Sequence, residues 1–163
     1  MKVQKRRKRE HKTDYGKRFK LLKSGKPRIV FRKTNKYIIA QYTISKEAED
    51  KIILGINSKD LLNYGWPETA KSSLKSITAS YLTGCLICKK IIEKKLKTPI
   101  MDFGMIRVLH KSKVYAFLKG LIDSGIKINC NEKFFPDESK IKGENLKHKI
   151  DFNKIKNNID NGK

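Results

Sequence analysis

No run of about eighteen apolar residues occurs, the length that a bilayer-spanning helix needs, so no membrane span is expected. The basic start KVQKRRKRE leads into no apolar stretch, so no export signal is expected either. Cysteine is scarce and odd in number: Cys85, Cys88 and Cys130 argue against a disulfide framework and for reduced thiols inside the cell. The largest deficit is of negative charge. Only 16 Asp+Glu stand against 39 Lys+Arg, a formal net charge of +23 on 163 residues. Self-repulsion at this level opposes a compact free state and implies a polyanionic partner, which inside a cell is most often RNA or DNA. The length fits one domain, and a hydrophobic fraction of 38% supports a modest core.

Other absences remove classes of chemistry. There is no glycine-rich loop followed by Lys-Ser/Thr to cradle a nucleotide phosphate, and no local spacing that recommends a Ser-His-Asp or Cys-His set. Cys85-Leu-Ile-Cys88 has the spacing of half a zinc site, but Cys130 is the one remaining thiol and His11, His110 and His148 are scattered. On a helix the two sulfurs share one apolar stripe, where cysteine packs as a small hydrophobe. Asp102 invites a nuclease reading, since metal-dependent phosphodiester cleavage needs clustered carboxylates. Its companions are missing locally: Glu47, Glu49 and Asp50 fall in an expected turn, and Asp137, Glu138 and Glu144 in a polar C-terminal stretch. A structural or loop-ordering role is expected for Asp102. No metal, cofactor or small-molecule substrate is expected.

What is present is organised along the chain. Residues 1–36 hold sixteen Lys/Arg against Glu10 and Asp14, a net +14 of the total. KVQKRRKRE has no hydrophobic period and is expected to stay unstructured until neutralised. Asp14 can cap a short helix with Phe19, Leu21 and Leu22 as an apolar stripe, ended by Ser24-Gly25 and Pro27. RIVFRK and KYIIAQYTI read as a hairpin across Thr34-Asn35, with Ile38, Ala40, Tyr42 and Ile44 alternating inward. SKEAED is an expected polar turn and KIILGIN a third antiparallel strand. SKDLLNYGW reads as a helical turn stopped by Gly65 and Pro67. A long helix is expected from about residue 71 to 95, with Leu74, Ile77, Tyr81, Cys85, Cys88 and Ile92 at three- and four-residue steps. TPIMDFG reads as a fourth, interior strand. A polar loop and a helix bearing Val114, Phe117, Leu118, Leu121 and Ile122 come next, ended by Gly125, then a short strand at IKINC. PDESK suits a helix start, and the chain from Asn153 is expected to be loose. The order β-β-β-α-β-α predicts an α/β sandwich with a mixed sheet.

Within the basic segment, Arg6, Arg7, Arg9, Lys12, Lys17, Arg18, Lys20, Arg28, Arg32, Lys33 and Lys36 are interleaved with Tyr15 and Tyr37. Charge runs are usually solvated faces, but this density at one end favours a phosphate-binding surface. Tyr15, Asn35 and Tyr37 have the chemistry to stack on or hydrogen-bond to bases exposed in an RNA loop.

HKTDYGKRFKLLKSGKPRIVFRKTNKYIIAQ resembles the N-terminal half of universal large-subunit ribosomal protein 18 in its archaeal form, a family related to the eukaryotic large-subunit protein five. SKDLLNYGW, ASYLTGCLICKK, IMDFGMIRVLHKSKVYAFLKGLIDSGIKI and FFPDESKIKGENL follow as further blocks in family order, so the resemblance covers roughly residues 5–146. The absence of the long C-terminal extension of the eukaryotic branch fits an archaeal source. The resemblance implies a cytoplasmic, non-catalytic constituent of the large ribosomal subunit that binds 5S ribosomal RNA. It is implied to attach that RNA to the larger, 23S-type ribosomal RNA in the central protuberance, among neighbouring large-subunit proteins. It also implies a three-layer α/β/α sandwich with a mixed sheet and ribonuclease H-like topology, without the catalytic carboxylates.

The expected organisation is a basic arm over residues 1–12, an α/β RNA-binding domain over 13–130 and a C-terminal extension over 131–163. Carried over by position, the RNA contacts implied are Arg6, Arg7, Lys8, Arg9, Lys12, Tyr15, Lys17 and Arg18. The hairpin adds Arg28, Arg32, Lys33, Thr34, Asn35, Lys36 and Tyr37, and the loop after the fourth strand adds Arg107, His110, Lys111 and Lys113. Lys113 stands where relatives carry arginine, and so lacks the planar fork for a bidentate phosphate contact. A small magnesium-dependent nuclease and a basic DNA-binding module are the rival readings.

Overall fold

The computed structural model describes residues 3–46 and 49–162. Among them the alternating β-rich runs form β1 (Arg28–Lys33), β2 (Ile38–Lys46) and β3 (Glu49–Asn57), an antiparallel meander, and β4 (Ile100–Asp102) joins β1 in parallel. The strand order is β3-β2-β1-β4, so β4 is a three-residue edge strand and not the interior strand expected of TPIMDFG. Its brevity has a plain cause: Gly104 takes a positive φ of 56° two residues after Asp102 and turns the chain away. Of the expected polar turn, Glu47 and Ala48 lie outside the described residues, while Ser45 and Asp50 belong to paired strands.

Register decides which side chains are buried. Ile29 faces Tyr42 and Phe31 faces Ala40, which in turn pair with Leu54 and Ile56. All six, with Ile38, are buried and make the apolar face of the sheet. Between Tyr42 and Thr43 the register against β3 slips by one residue. Tyr42 pairs with Leu54 but Thr43 with Ile52, which leaves Ile53 as the extra residue and brings Asp50 opposite Ser45. Beyond the slip the apolar alternation no longer points inward, so Ile44, expected in the core, is 42% exposed.

Helix α3 (Ile77–Glu93) covers this face, starting where Ser76 Oγ accepts the amide of Ala79 at 3.1 Å. It begins six residues later than its stripe predicts. Residues Glu68–Ser73 form a separate 3-10 segment, with Trp66 Nε1 donating to the Ala70 carbonyl at 3.0 Å. Twelve of the seventeen residues of α3 are buried, but Ile92 near its end is 55% exposed. Helix α4 (Lys113–Asp123) runs parallel to α3 with unusually close backbones: Ser80 Oγ donates to the Lys113 carbonyl at 2.6 Å, and Cys88 Sγ to that of Ser124 at 3.2 Å. Cys85 and Cys88 are thus packing groups, as their stripe predicts, and burial pushes both thiols up to about 11. Phe117 of α4 meets Phe31 of β1 at a ring separation of 4.9 Å, tying this helix to the sheet.

Two expectations fail towards the C-terminus. Residues 126–130 form no strand, because the edge of β4 is already too short to template another. The stretch after Asn153 is packed, not loose: α6 (Phe152–Asn161) buries Ile155 and Ile159 completely, four residues apart on one face. Lys89 of α3 closes its end by donating to the carbonyls of Ile159 and Asp160 at 2.5 and 2.7 Å, and Asn158 donates to the Tyr64 carbonyl at 2.9 Å. The cation at these carbonyls also suits the helix dipole. Helix α5 (Glu138–Lys142), expected from PDESK, inserts Ile141 into the same core. Ile155→Val is therefore expected to cost about 1 kcal/mol, read from urea unfolding of the full chain; a loose tail would show no change.

The α/β class and the mixed sheet are as expected. Among the described residues the helical cover is unequal: α3 packs on one face, where Phe117 of α4 also meets Phe31, whereas the N-terminal segment and α2 (Tyr15–Lys23) approach β1 across a groove. That unevenness leaves a charged face of the sheet open. No helix among the described residues is long and apolar enough to cross a membrane.

Candidate nucleic-acid interface

The open face is organised around Arg28, the first residue of β1. It is 2% exposed, although sequence position placed it among the RNA contacts. Its guanidinium donates to Asp102 Oδ2 and to Asp50 Oδ1, each at 2.7 Å, and to Ser45 Oγ at 2.9 Å. Among the described residues, nothing partners its Nε. A guanidinium so enclosed is not available to a phosphate, so Arg28 is corrected from an RNA contact to a structural ion-pair centre. Asp50 also accepts from Ser45 Oγ at 2.6 Å and from Arg18 of α2 at 2.8 Å. Burial raises the Asp50 pKa, but the Ser45 hydrogen bond and the Arg28 and Arg18 charges outweigh it and hold the carboxyl below its usual range. Asp102 has the loop-ordering role expected of it, since its second oxygen accepts the Gly104 amide at 2.9 Å. The two carboxylates that a nuclease reading needs are thus brought to one place, but around a buried arginine.

This network docks α2. Asp14 Oδ1 accepts the Lys17 amide at 3.0 Å and starts the helix as its sequence predicts. Arg18 then reaches Asp50, and Lys17 Nζ donates to the Gly104 carbonyl at 3.3 Å. Polar contacts replace the expected apolar stripe: Leu21 and Leu22 are half-buried, and Phe19 is 68% exposed. Ahead of it the arm expected to lack structure contains one helical turn, α1 (Arg6–Arg9), with Glu10 paired to Arg6 and Lys12 at 3.7 and 2.8 Å. Arg7 Nε donates to Thr13 Oγ1 at 2.9 Å, and the Lys5 ammonium lies 4.9 Å from the centre of the Tyr15 ring.

Three stretches far apart in sequence converge here. Arg7, Lys12, Lys17 and Arg18 from the N-terminal segment line one groove with Arg32 and Lys33 of β1, Asp102 of β4 and residues 103–106 after it. Beyond the groove the hairpin tip carries exposed Asn35 and Lys36. Thr34 is committed to the turn: its Oγ1 donates to the Tyr37 carbonyl at 2.8 Å and accepts the Tyr37 amide at 2.9 Å. Tyr37 itself is half-buried against the core. The structure thus explains the cations of RKTNKYIIAQ: a strand anchored by Ile38, Ala40 and Tyr42 projects them from a rigid base.

The third stretch is less uniform. Arg107 and His110 are exposed, with His110 packed edge-on to Phe134 at 4.1 Å between ring centres. Lys111 is spoken for by Asp137 at 2.9 Å. Lys113 stands at the start of α4, where burial and the charges of Lys33 and Lys75 push its ammonium pKa down. Lys75, a cation outside the expected set, is thus near enough to Lys113 to act on its charge, as is Lys33 of the hairpin. The signal for Lys75 was its place immediately before the Ser76 cap. Arg6, Lys8 and Arg9 are exposed on α1 and do not line the groove.

The comparisons with known proteins agree with this geometry. The family model described as ribosomal large subunit proteins 60S L5, and 50S L18, matches residues 1–98. The large ribosomal subunit protein uL18 of Korarchaeum cryptofilum is 43% identical over 145 residues, 89% of this chain and 72% of the relative. Its namesake in Methanothrix thermoacetophila is 40% identical over 139 residues, 85% and 80% of the two chains. That of Halobacterium salinarum is 37% identical over 145 residues, 89% and 77%. With a basic interface, an ion-paired Asp102 and relatives matched over most of their length, the chain belongs to the family of ribosomal large subunit proteins 60S L5 and 50S L18, structural constituents of the ribosome rather than enzymes.

Proposed function

We propose that this large-subunit protein binds 5S ribosomal RNA and attaches it to the larger ribosomal RNA in the central protuberance. The observation that carries the reading is the convergence of six cations on one groove, four from the N-terminal segment through α2 and two from β1. Arg7, Lys12, Lys17, Arg18, Arg32 and Lys33 neutralise phosphates, and the hairpin tip at Asn35 and Lys36 sets register beside them. Arg6, Lys8, Arg9 and Tyr15 extend this surface along the N-terminal segment, Arg107, His110 and Lys113 continue it through the loop after β4 and the start of α4, and Lys111 joins them where a phosphate replaces Asp137. Neighbouring ribosomal proteins meet the remaining surface, and the protein acts in the cytoplasm.

Binding to 5S ribosomal RNA is compared with binding to equal masses of transfer RNA and duplex DNA over a salt series. Selective 5S binding that persists as salt rises is expected. Equal binding to all three, lost together, would leave a non-specific cation and sink the assignment. Arg32→Ala is expected to cost roughly 1 to 3 kcal/mol of 5S affinity and to flatten the salt dependence, because fewer counterions are released. Unchanged affinity would take the hairpin out of the interface.

A further inference from the structure

The groove has a floor that phosphate binding does not explain. Besides its cations the groove is lined by Val30, Phe103, Met105 and Ile106, with the strand at Phe31 behind them. Phe103 packs edge-on against Phe31 at 6.2 Å between ring centres, so part of this floor is anchored to the core. Met105, in contrast, is left 50% exposed at the groove. A track for backbone phosphates needs donors and gains nothing from apolar side chains. The groove volume of about 300 Å³ is at the small end for ligand sites and has no room for a helix or a duplex. Six cations against Asp14 and Asp102 make the rim strongly positive, which favours an anionic occupant over a protein segment of ordinary composition. One object has a flat apolar face of this size joined to anions at its edge: an unstacked nucleotide.

We propose that this groove receives the base of one unpaired RNA nucleotide, seated on Phe103, Met105 and Ile106, with its flanking phosphates on Lys17, Arg32 and Lys33. The proposal rests on the ribosomal RNA reading above. The strap from Lys17 Nζ to the Gly104 carbonyl holds α2 and the loop after β4 at a fixed separation, so the slot exists before RNA arrives. Stacking on such a floor is tolerant of base identity but requires single-stranded RNA. Selectivity therefore comes from where a structured RNA presents an unpaired base at the right distance from phosphates on either side.

The test uses the full chain and transcribed 5S ribosomal RNA, unmodified for affinity and substituted with 4-thiouridine for photocrosslinking. Crosslinks from an unpaired uridine to the peptide holding Phe103 and Met105 are expected. Met105→Ala, at an exposed loop position that cannot disturb the core, is expected to weaken binding several-fold. Val30→Trp, which fills the slot, is expected to weaken it roughly five- to hundredfold, the scale of one lost base stack. In both variants the salt slope stays that of the unsubstituted chain, because every cation remains, and thermal unfolding monitored by circular dichroism verifies the fold. Selective 5S binding with unchanged affinity in Met105→Ala and in a folded Val30→Trp, and with crosslinks confined to the hairpin tip, would overturn the base slot alone. Failure of the unsubstituted chain to prefer 5S RNA would remove the ribosomal RNA reading and the slot together.

Discussion

Gly120→Ala is expected to destabilise the protein by about 3 kcal/mol or more, although alanine at an unconstrained helix position is better than glycine by roughly 1 kcal/mol. The reversal of sign comes from the contact between α3 and α4. A Cβ on Gly120 would fall on the Tyr81 carbonyl oxygen, and one on Gly84 would stand 2.5 Å from the Phe117 carbonyl oxygen. The obstacles are backbone atoms, which no rotamer change can move, so the helices must separate. Separation strips the Ser80 and Cys88 bonds to α4 and opens the packing of Phe117 on Phe31. Since a domain of this size has only about 5 to 15 kcal/mol to lose, much of the stability goes with this one methyl group. Urea unfolding followed by the fluorescence of Trp66, the single tryptophan and 2% exposed, measures it. Gly16→Ala in α2 is the control: the nearest atom to its Cβ is 3.4 Å away, so stability should be unchanged or slightly raised. Equal behaviour of the two variants would refute the close packing of α3 on α4.

The second large effect is expected at Arg28. Removing it with Arg28→Ala leaves Asp102 and Asp50, with side chains 13% and 30% exposed, facing each other without their shared cation. Breaking a buried pair in this way typically costs about 3 to 5 kcal/mol, and the partial exposure of Asp50 puts this case near the lower end. Because Asp50 tethers Arg18, α2 should also come off the sheet, so RNA affinity should fall although Arg28 itself is buried. The network has a pH signature. Asp50 has its pKa lowered in the folded protein, so its contribution is complete above its unfolded value of about 4 and is lost as pH falls through the lower, folded value. Acid should therefore loosen α2, and Asp50→Asn should lose part of that acid sensitivity. Denaturation curves at neutral and acid pH decide the matter, since equal acid losses in both proteins would show that Asp50 carries none of it.

Residues that act through local geometry were legible in sequence. Asp14 caps the helix that follows it, the hairpin forms where Thr34-Asn35 interrupts two β-rich runs, and Cys85 and Cys88 take the stripe positions their spacing assigns. Polarised charge and missing acids, which need no fold at all, pointed to a polyanion. The residues after Asp102 were harder: they read as the end of a strand and a polar loop, and only the turn at Gly104 shows that Met105 and Ile106 belong to a groove.

By itself, then, the order of residues determined the three-strand meander and its hairpin, the cap of α2, how the charge is distributed and what kind of partner it needs. Each depends on neighbours within a few positions or on a simple sum. The tertiary structure alone decided the fate of Arg28, whose partners lie 22 and 74 residues away and meet it only because β3 slips register and β4 pairs in parallel. It likewise decided that α6 is core and that six cations share one groove. Ion pairing, burial and surface convergence depend on distances through space, and one residue of strand register is enough to exchange a phosphate ligand for a buried strut.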